Sequence, residues 1–340
     1  MTKKYAFWNN KGGTGKTSLA FQSITLYAEE HPDERILAID VCPQANLSEL
    51  MLGGLNSRGS DKLLARQGLV PRCSIGGYFQ LRLPSPYSTP AFTPADFISH
   101  PHDFNDCIPD NIDLVCGDPL LELQSNAVNT LANNQIPGSN PWIEVIDWLN
   151  DFIEPIEHEY DVVFFDCNPS FSLYTQIALA SAERLVLPVM ADDSSRRAIQ
   201  NAFSLVYGLK LPSDIYLAFA FATKLKNAGR ELPKVHLIIK NRLTQYMGAA
   251  SAYAAVLTAI ERDVAALIKS NPEIFSFATK GDGFTEMRDF GTTGVVAFAK
   301  GQPMSKVRVG KQTVNGHRVQ VKKEYLDNAK QAMADTVARL

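Results

Sequence analysis

The chain has 340 residues, 45% of them hydrophobic and 20% charged, with a net charge of −3. That length can bury the core of one large α/β domain or of two small ones, and the acidity excludes a polycation, so any nucleic-acid binding needs a local basic patch. Cysteines at 42, 73, 107, 116 and 167 form no CxxC pair, the N-terminus shows no long apolar leader, and no stretch approaches the roughly 20 apolar residues of a membrane span; these features predict a soluble cytoplasmic chain with reduced thiols.

Tyr5-Ala6-Phe7-Trp8, an apolar run ahead of glycines, predicts a buried strand. Leu19, Ile24, Leu26 and Tyr27 fall at helical spacing and predict a helix over 18–30, stopped by His31-Pro32-Asp33. A second buried strand, 35–40, ends in Asp40. Strand, glycine loop, helix and strand form a βαβ unit, which implies a parallel sheet. Seven of the 19 prolines lie from Pro71 to Pro109, which predicts a stretch without regular helix or central strand. The segment 53–110 therefore reads as an elaborated insertion, packed down by Tyr78, Phe79, Phe92 and Phe97. Further strands are predicted over 112–116, 161–166, 184–189, 215–222 and 235–239, and helices over 142–156, 173–182 and 249–269. A basic hairpin over 306–323 and a helix over 324–340 close the chain. The expected fold is a single α/β domain: a three-layer P-loop NTPase fold with a mostly parallel twisted sheet flanked by helices.

Lys11-Gly12-Gly13-Thr14-Gly15-Lys16-Thr17 follows the first strand. A phosphate cradle needs backbone N–H groups turned around an anion, and Gly12, Gly13 and Gly15 permit that close approach. Lys16 supplies a cation for the β- and γ-phosphates, Thr17 a hydroxyl for Mg²⁺, and the helix start a favourable dipole. Thr14 and Ser18 complete the expected nucleotide-contacting run. The general pattern GxxxxGK[ST] is missed at its first position, which is Asn10. Asp40 and Asp166 end two predicted strands, and ligands of open α/β sheets sit beyond such carboxyl ends. Asp166 suits the Mg²⁺ hydration shell, and Asp40 is placed to orient an attacking water.

Three segments carry a family resemblance. Asn9-Asn10-Lys11-Gly12-Gly13-Thr14-Gly15-Lys16-Thr17 resembles the deviant Walker A box of the ParA/MinD family. Leu37-Ala38-Ile39-Asp40-Val41-Cys42-Pro43-Gln44-Ala45-Asn46-Leu47 resembles its switch I segment, whose usual form is close to IDxDPQGN. Residues 160–170 resemble its Walker B and switch II segment. The match is better to the ParA branch and is weaker through Pro188, Lys240-Asn241-Arg242 and 284–303. Departures are Asn168 in place of a proline and Ala45 in place of a glycine, and no helix-turn-helix precedes the loop.

The resemblance implies an ATP- and Mg²⁺-dependent ATPase that forms a homodimer when ATP-bound. Lys11 would reach the partner's phosphates, Lys16, Thr17 and the loop glycines would hold ATP and Mg²⁺, Asp40 would position the water, and Asn241 would contact adenine. It further implies non-specific double-stranded DNA as a partner, a ParB-like or cargo adaptor that stimulates hydrolysis, a place on the nucleoid, and a role in plasmid or chromosome partition.

No Asp or Glu lies between 300 and 323, where Lys306, Arg308, Lys311, Arg318, Lys322 and Lys323 stand around an Asn315-Gly316 turn signal. Alternation predicts Lys306, Arg308 and Lys322 on one exposed face, a candidate for DNA phosphates; a solvated edge hairpin is the plainer reading. Leu326, Ala329, Met333, Val337 and Leu340 form a stripe that predicts core docking of the last helix rather than membrane association. Positioning of a protein cargo, a MinD-like membrane role, and small-molecule phosphotransfer or ligation remain the alternatives.

Overall fold

The computed structural model describes residues 2–243 and 251–340, without the side chains of residues 193 and 251–253. Ten strands are seen among these residues: β1 (Lys3–Phe7), β2 (Ile36–Val41), β3 (Ile98–Ser99), β4 (Ile112–Val115), β5 (Val162–Cys167), β6 (Arg184–Met190), β7 (Lys234–Leu243), β8 (Phe284–Arg288), β9 (Gly310–Val314) and β10 (His317–Val321). The first eight form one sheet in the order β3-β4-β2-β5-β1-β6-β7-β8. Every pairing in it is parallel except β3 with β4.

The central strands alternate between two cores. Ala6, Leu37, Ile39, Val163 and Phe165 face one side, and Tyr5, Phe7, Ile36, Ala38, Val162 and Phe164 the other. Burial on both faces explains why these strands are continuously apolar in sequence. The helix Lys16–Glu30 and the last helix, Lys323–Val337, cover the Tyr5 side, and the helices Leu120–Ala132, Pro141–Ile146, Trp148–Ile153 and Leu173–Ser181 cover the Ala6 side. Leu326, Ala329, Met333, Val337 and Leu340 are all buried, so the terminal stripe docks against the molecule.

Several local expectations are corrected. Residues 215–222 form no strand: Asp214–Phe219 is a 3₁₀ turn and Phe221–Asn227 a helix. β7 already has a strand on each side, and the apolar run there stays exposed, with Ile215 at 71% and Phe219 at 73%. The helix expected over 142–156 breaks at Asp147. The insertion contains two helices, Gly59–Gln67 and Ile75–Arg82, despite its prolines. The second fits between Pro71 and Pro84, capped by Ser74 Oγ, which accepts the Gly77 N–H at 3.1 Å. Tyr78 and Phe79 on it are fully buried. β8 was not anticipated, because one of its two buried positions is the polar Thr285. The helix expected over 249–269 is Ser251–Ser270, and residues 249 and 250 lie outside the described residues.

Candidate functional site

β1 ends beside β5, and Phe7 and Asp40 are both register partners of Asp166. The loop after β1 and the two aspartates therefore share the carboxyl edge of the sheet. Gly13 and Gly15 adopt φ of +75° and +84°, and Gly15 caps the helix that starts at Lys16. A side chain at 15 is doubly forbidden, because its Cβ would also stand 2.3 Å from Asn241 Nδ2. Gly12 and Gly13 are exposed and have no atom within 4 Å of a built Cβ, which leaves the cradle open.

Lys16 is buried and donates to the Lys11 carbonyl at 3.0 Å. Burial lowers its pKa, opposed first by the charge of Asp166. Thr14 is buried, Thr17 and Ser18 half-buried. Asp166 is buried with no hydrogen-bond partner on either carboxylate oxygen. Burial first and the Asp40 charge second push its pKa up, while Thr17 and Lys16 pull the other way. A buried carboxylate with both oxygens open, next to a threonine hydroxyl, is a hard oxygen donor set that fits Mg²⁺. Among the described residues there is no cluster of three or more His, Cys, Asp or Glu side chains, so an all-protein metal cage is not formed there.

Asp40 is different. Its Oδ1 accepts the Cys42 N–H at 3.2 Å, and its Oδ2 accepts the N–H and hydroxyl of Ser48 at 3.0 and 2.8 Å. Burial raises its pKa and these bonds hold it back. These oxygens anchor the turn after β2.

Lys11 does not extend freely from the loop. Its Nζ is 2.5 Å from Asp192 Oδ2 and donates to Ser195 Oγ at 3.1 Å. Asp192 caps the helix Asp193–Tyr207, accepting the Ser195 N–H at 2.7 Å. Sequence reasoning missed Asp192, since an aspartate at a helix start has an ordinary capping explanation.

Asn241, at the end of β7, donates to the Thr14 carbonyl at 2.8 Å and accepts the Arg242 N–H at 2.8 Å. Its amide thus braces the phosphate loop. It also walls a cavity of about 220 Å³ with Gly15, Ser18, Arg242, Asp289, Phe290 and Phe298. Asn168 donates to the Tyr174 hydroxyl at 2.6 Å, which ties the turn after β5 to the helix Leu173–Ser181.

The basic residues fall in two groups. Lys306 ends a 3₁₀ turn and Arg308 follows it, so neither belongs to the hairpin as expected. In β9 and β10, Lys311 pairs with Gln320 and Thr313 with Arg318, which puts Lys311 and Arg318 on one face. Val314 and Val321 are buried against Val296, Ala297 and Leu326 on the other. All six basic side chains are exposed, and none forms a salt bridge among the described residues.

Fold and site together define a P-loop α/β nucleotide-binding protein. Residues 2–212 match the model of the AAA domain family. The chain belongs to that family, in its ParA/MinD-like group. The cell division protein PomZ of Myxococcus xanthus is 26% identical over 208 residues, 61% of this chain and 52% of that protein. The chain spans about half the length of the curated relatives it matches. Apo McdA from Cyanothece has the same fold, with a TM-score of 0.60 at 14% identity over 98% of this chain and 100% of that one. A putative plasmid partition protein from Borrelia burgdorferi B31, bound to AMPPNP, superposes with a TM-score of 0.53 at 13% identity over 100% and 99%.

Proposed function

We propose that the chain is an Mg²⁺-dependent ATPase that dimerises on binding ATP, engages double-stranded DNA without regard to sequence, and positions a plasmid, chromosome or protein cargo through an adaptor that stimulates hydrolysis. The observation that carries this reading is Asp166, whose two unpartnered buried oxygens stand beside Lys16 and Thr17. Lys16 and the loop amides would hold the β- and γ-phosphates, and Thr17 and, through water, Asp166 the magnesium. Lys11 would meet the triphosphate of a second copy, and the cavity beside Asn241 would take the base. Binding of AMPPNP by the Borrelia protein and the cell-division role of PomZ support an ATP-driven positioning role.

The exposed basic residues around β9 and β10 supply a surface for DNA phosphates, which a two-fold dimer would double. Measuring affinity for unrelated duplex DNA with ATP, with ADP and without nucleotide, over a salt series, tests this. ATP-dependent binding that weakens steeply with salt is expected, and equal affinity in all three states would overturn the DNA switch.

A further inference from the structure

The end of β2 carries one carboxylate, Asp40, and it is already engaged. A carboxylate has about four lone-pair sites, and Asp40 gives its two oxygens to three donors while fully buried. The chain of bonds continues outward. Ser48 Oγ accepts the Gly117 N–H at 2.9 Å, and the Gly117 carbonyl accepts from Gln67 Nε2 at 2.8 Å. Asp40 thus holds the turn, the helix Asn46–Met51 and the helix Gly59–Gln67 in one frame. Three of its lone-pair sites are taken, and the fourth lies on a side chain with no solvent exposure.

Cys42 begins the turn that follows β2. It is 8% exposed, and its sulfur is close enough to Lys16 and Asp166 for their charges to act on it. The pattern that this segment resembles, IDxDPQGN, has a second aspartate where Cys42 stands. A thiol is a poor acceptor. Burial, helped by Asp40 and Asp166, pushes this one up to about 12, so it is neither a thiolate nor a base near neutral pH.

We propose that Cys42 occupies the place of the water-orienting carboxylate, so that this chain turns over ATP slowly and lingers in its ATP-bound state, and that an aspartate at 42 restores faster hydrolysis. The inference rests on the ATPase reading above. In the reaction a water oxygen bonds to the γ-phosphorus, the bond to the β–γ bridging oxygen breaks, and ADP leaves with that electron pair. The water's proton goes to a carboxylate where one is present, and otherwise to an oxygen of the phosphate being released.

The full chain is compared with Cys42→Asp, Cys42→Ala and Asp40→Asn. Binding of a fluorescent ATP analogue is measured first. A wild-type chain that binds no ATP overturns the ATPase reading and this inference with it. Given binding, Cys42→Asp is expected to release phosphate about tenfold faster or more, and to shorten the lifetime of the ATP-induced dimer by the same factor. Cys42→Ala is expected to match wild type within about twofold, since the thiol has no catalytic part. Hydrogen exchange of the Cys42 and Ser48 amides in the nucleotide-free protein is expected to quicken in Asp40→Asn. Cys42→Asp no faster than wild type while still binding ATP, Cys42→Ala slowed about tenfold or more, or unchanged exchange in Asp40→Asn would each overturn the inference alone. If Cys42→Asp does not fold, the other two variants decide.

Discussion

Lys11 Nζ, in the phosphate loop, lies 2.5 Å from Asp192 Oδ2 at the start of the helix Asp193–Tyr207. Burial would raise the Asp192 carboxyl, but Lys11, Ser194 and Ser195 hold it at about 2, so Asp192 stays ionised at any physiological pH. In the proposed dimer Lys11 serves the partner's nucleotide, and this contact has to open first. In that cycle it would act as a latch on the monomer. Both side chains are partly exposed, so the latch is weak. Asp192→Asn keeps an oxygen for the helix cap and removes the charge. ATP-dependent dimerisation, followed by light scattering, should tighten by about two- to fivefold. Lys11→Ala should abolish it. Identical dimerisation in wild type and Asp192→Asn would remove the latch from the mechanism.

Gly15→Ala should eliminate nucleotide binding without unfolding the core. The substitution sets a β-carbon at φ +84° and 2.3 Å from Asn241 Nδ2, so Asn241 must leave the Thr14 carbonyl or the loop must shift. Calorimetric titration with ATP and Mg²⁺ should show no heat, while far-ultraviolet dichroism stays at the wild-type value. Wild-type affinity in this variant would mean the loop does not hold phosphate.

The pairing of Asp40 with Asp166 makes the nucleotide-free protein sensitive to pH. Both carboxyls are raised by burial, and Asp166 also by Asp40. A raised acid contributes stability that is fully present below its unfolded pKa of about 4 and is lost as pH climbs through the folded value. The melting temperature should therefore fall as pH rises from about 4 toward neutrality, and Asp166→Asn should flatten the slope. Mg²⁺ with ATP should restore the neutral-pH loss in wild type and not in Asp166→Asn. A melting temperature that climbs over this window in the nucleotide-free wild type would contradict the assignment.

The sequence reveals the frame of this site better than its contacts. The strand–loop–helix–strand order, the glycine spacing and the strand-end aspartates are local patterns, and a parallel sheet brings such ends together whatever the intervening chain does. What Asp40 touches depends on Ser48 and Gly117, and what Lys11 touches depends on Asp192, which stands 181 residues away along the chain. No spacing rule encodes those meetings. Residues 215–222 failed for a related reason: an apolar, β-prone run becomes a strand only where a sheet edge is open to it. β8 escaped notice because Thr285 takes a buried position usually read from apolar side chains.

DNA binding, if it uses the hairpin, should follow the pairing register rather than the count of basic residues. Lys311 and Arg318 share the face opposite buried Val314 and Val321, and the hairpin turns through Asn315 and Gly316, both at positive φ. Each phosphate contact contributes about 0.9 to the slope of log affinity against log salt. Lys311→Glu with Arg318→Glu should lower that slope by about 2 per protomer and weaken binding to every sequence alike. ATP-driven dimerisation should be unaffected, because neither side chain touches the phosphate loop. Lys306→Glu with Arg308→Glu probes the separate turn before β9. An effect there and none at 311 and 318 would move the DNA surface off the hairpin and onto the segment that precedes it.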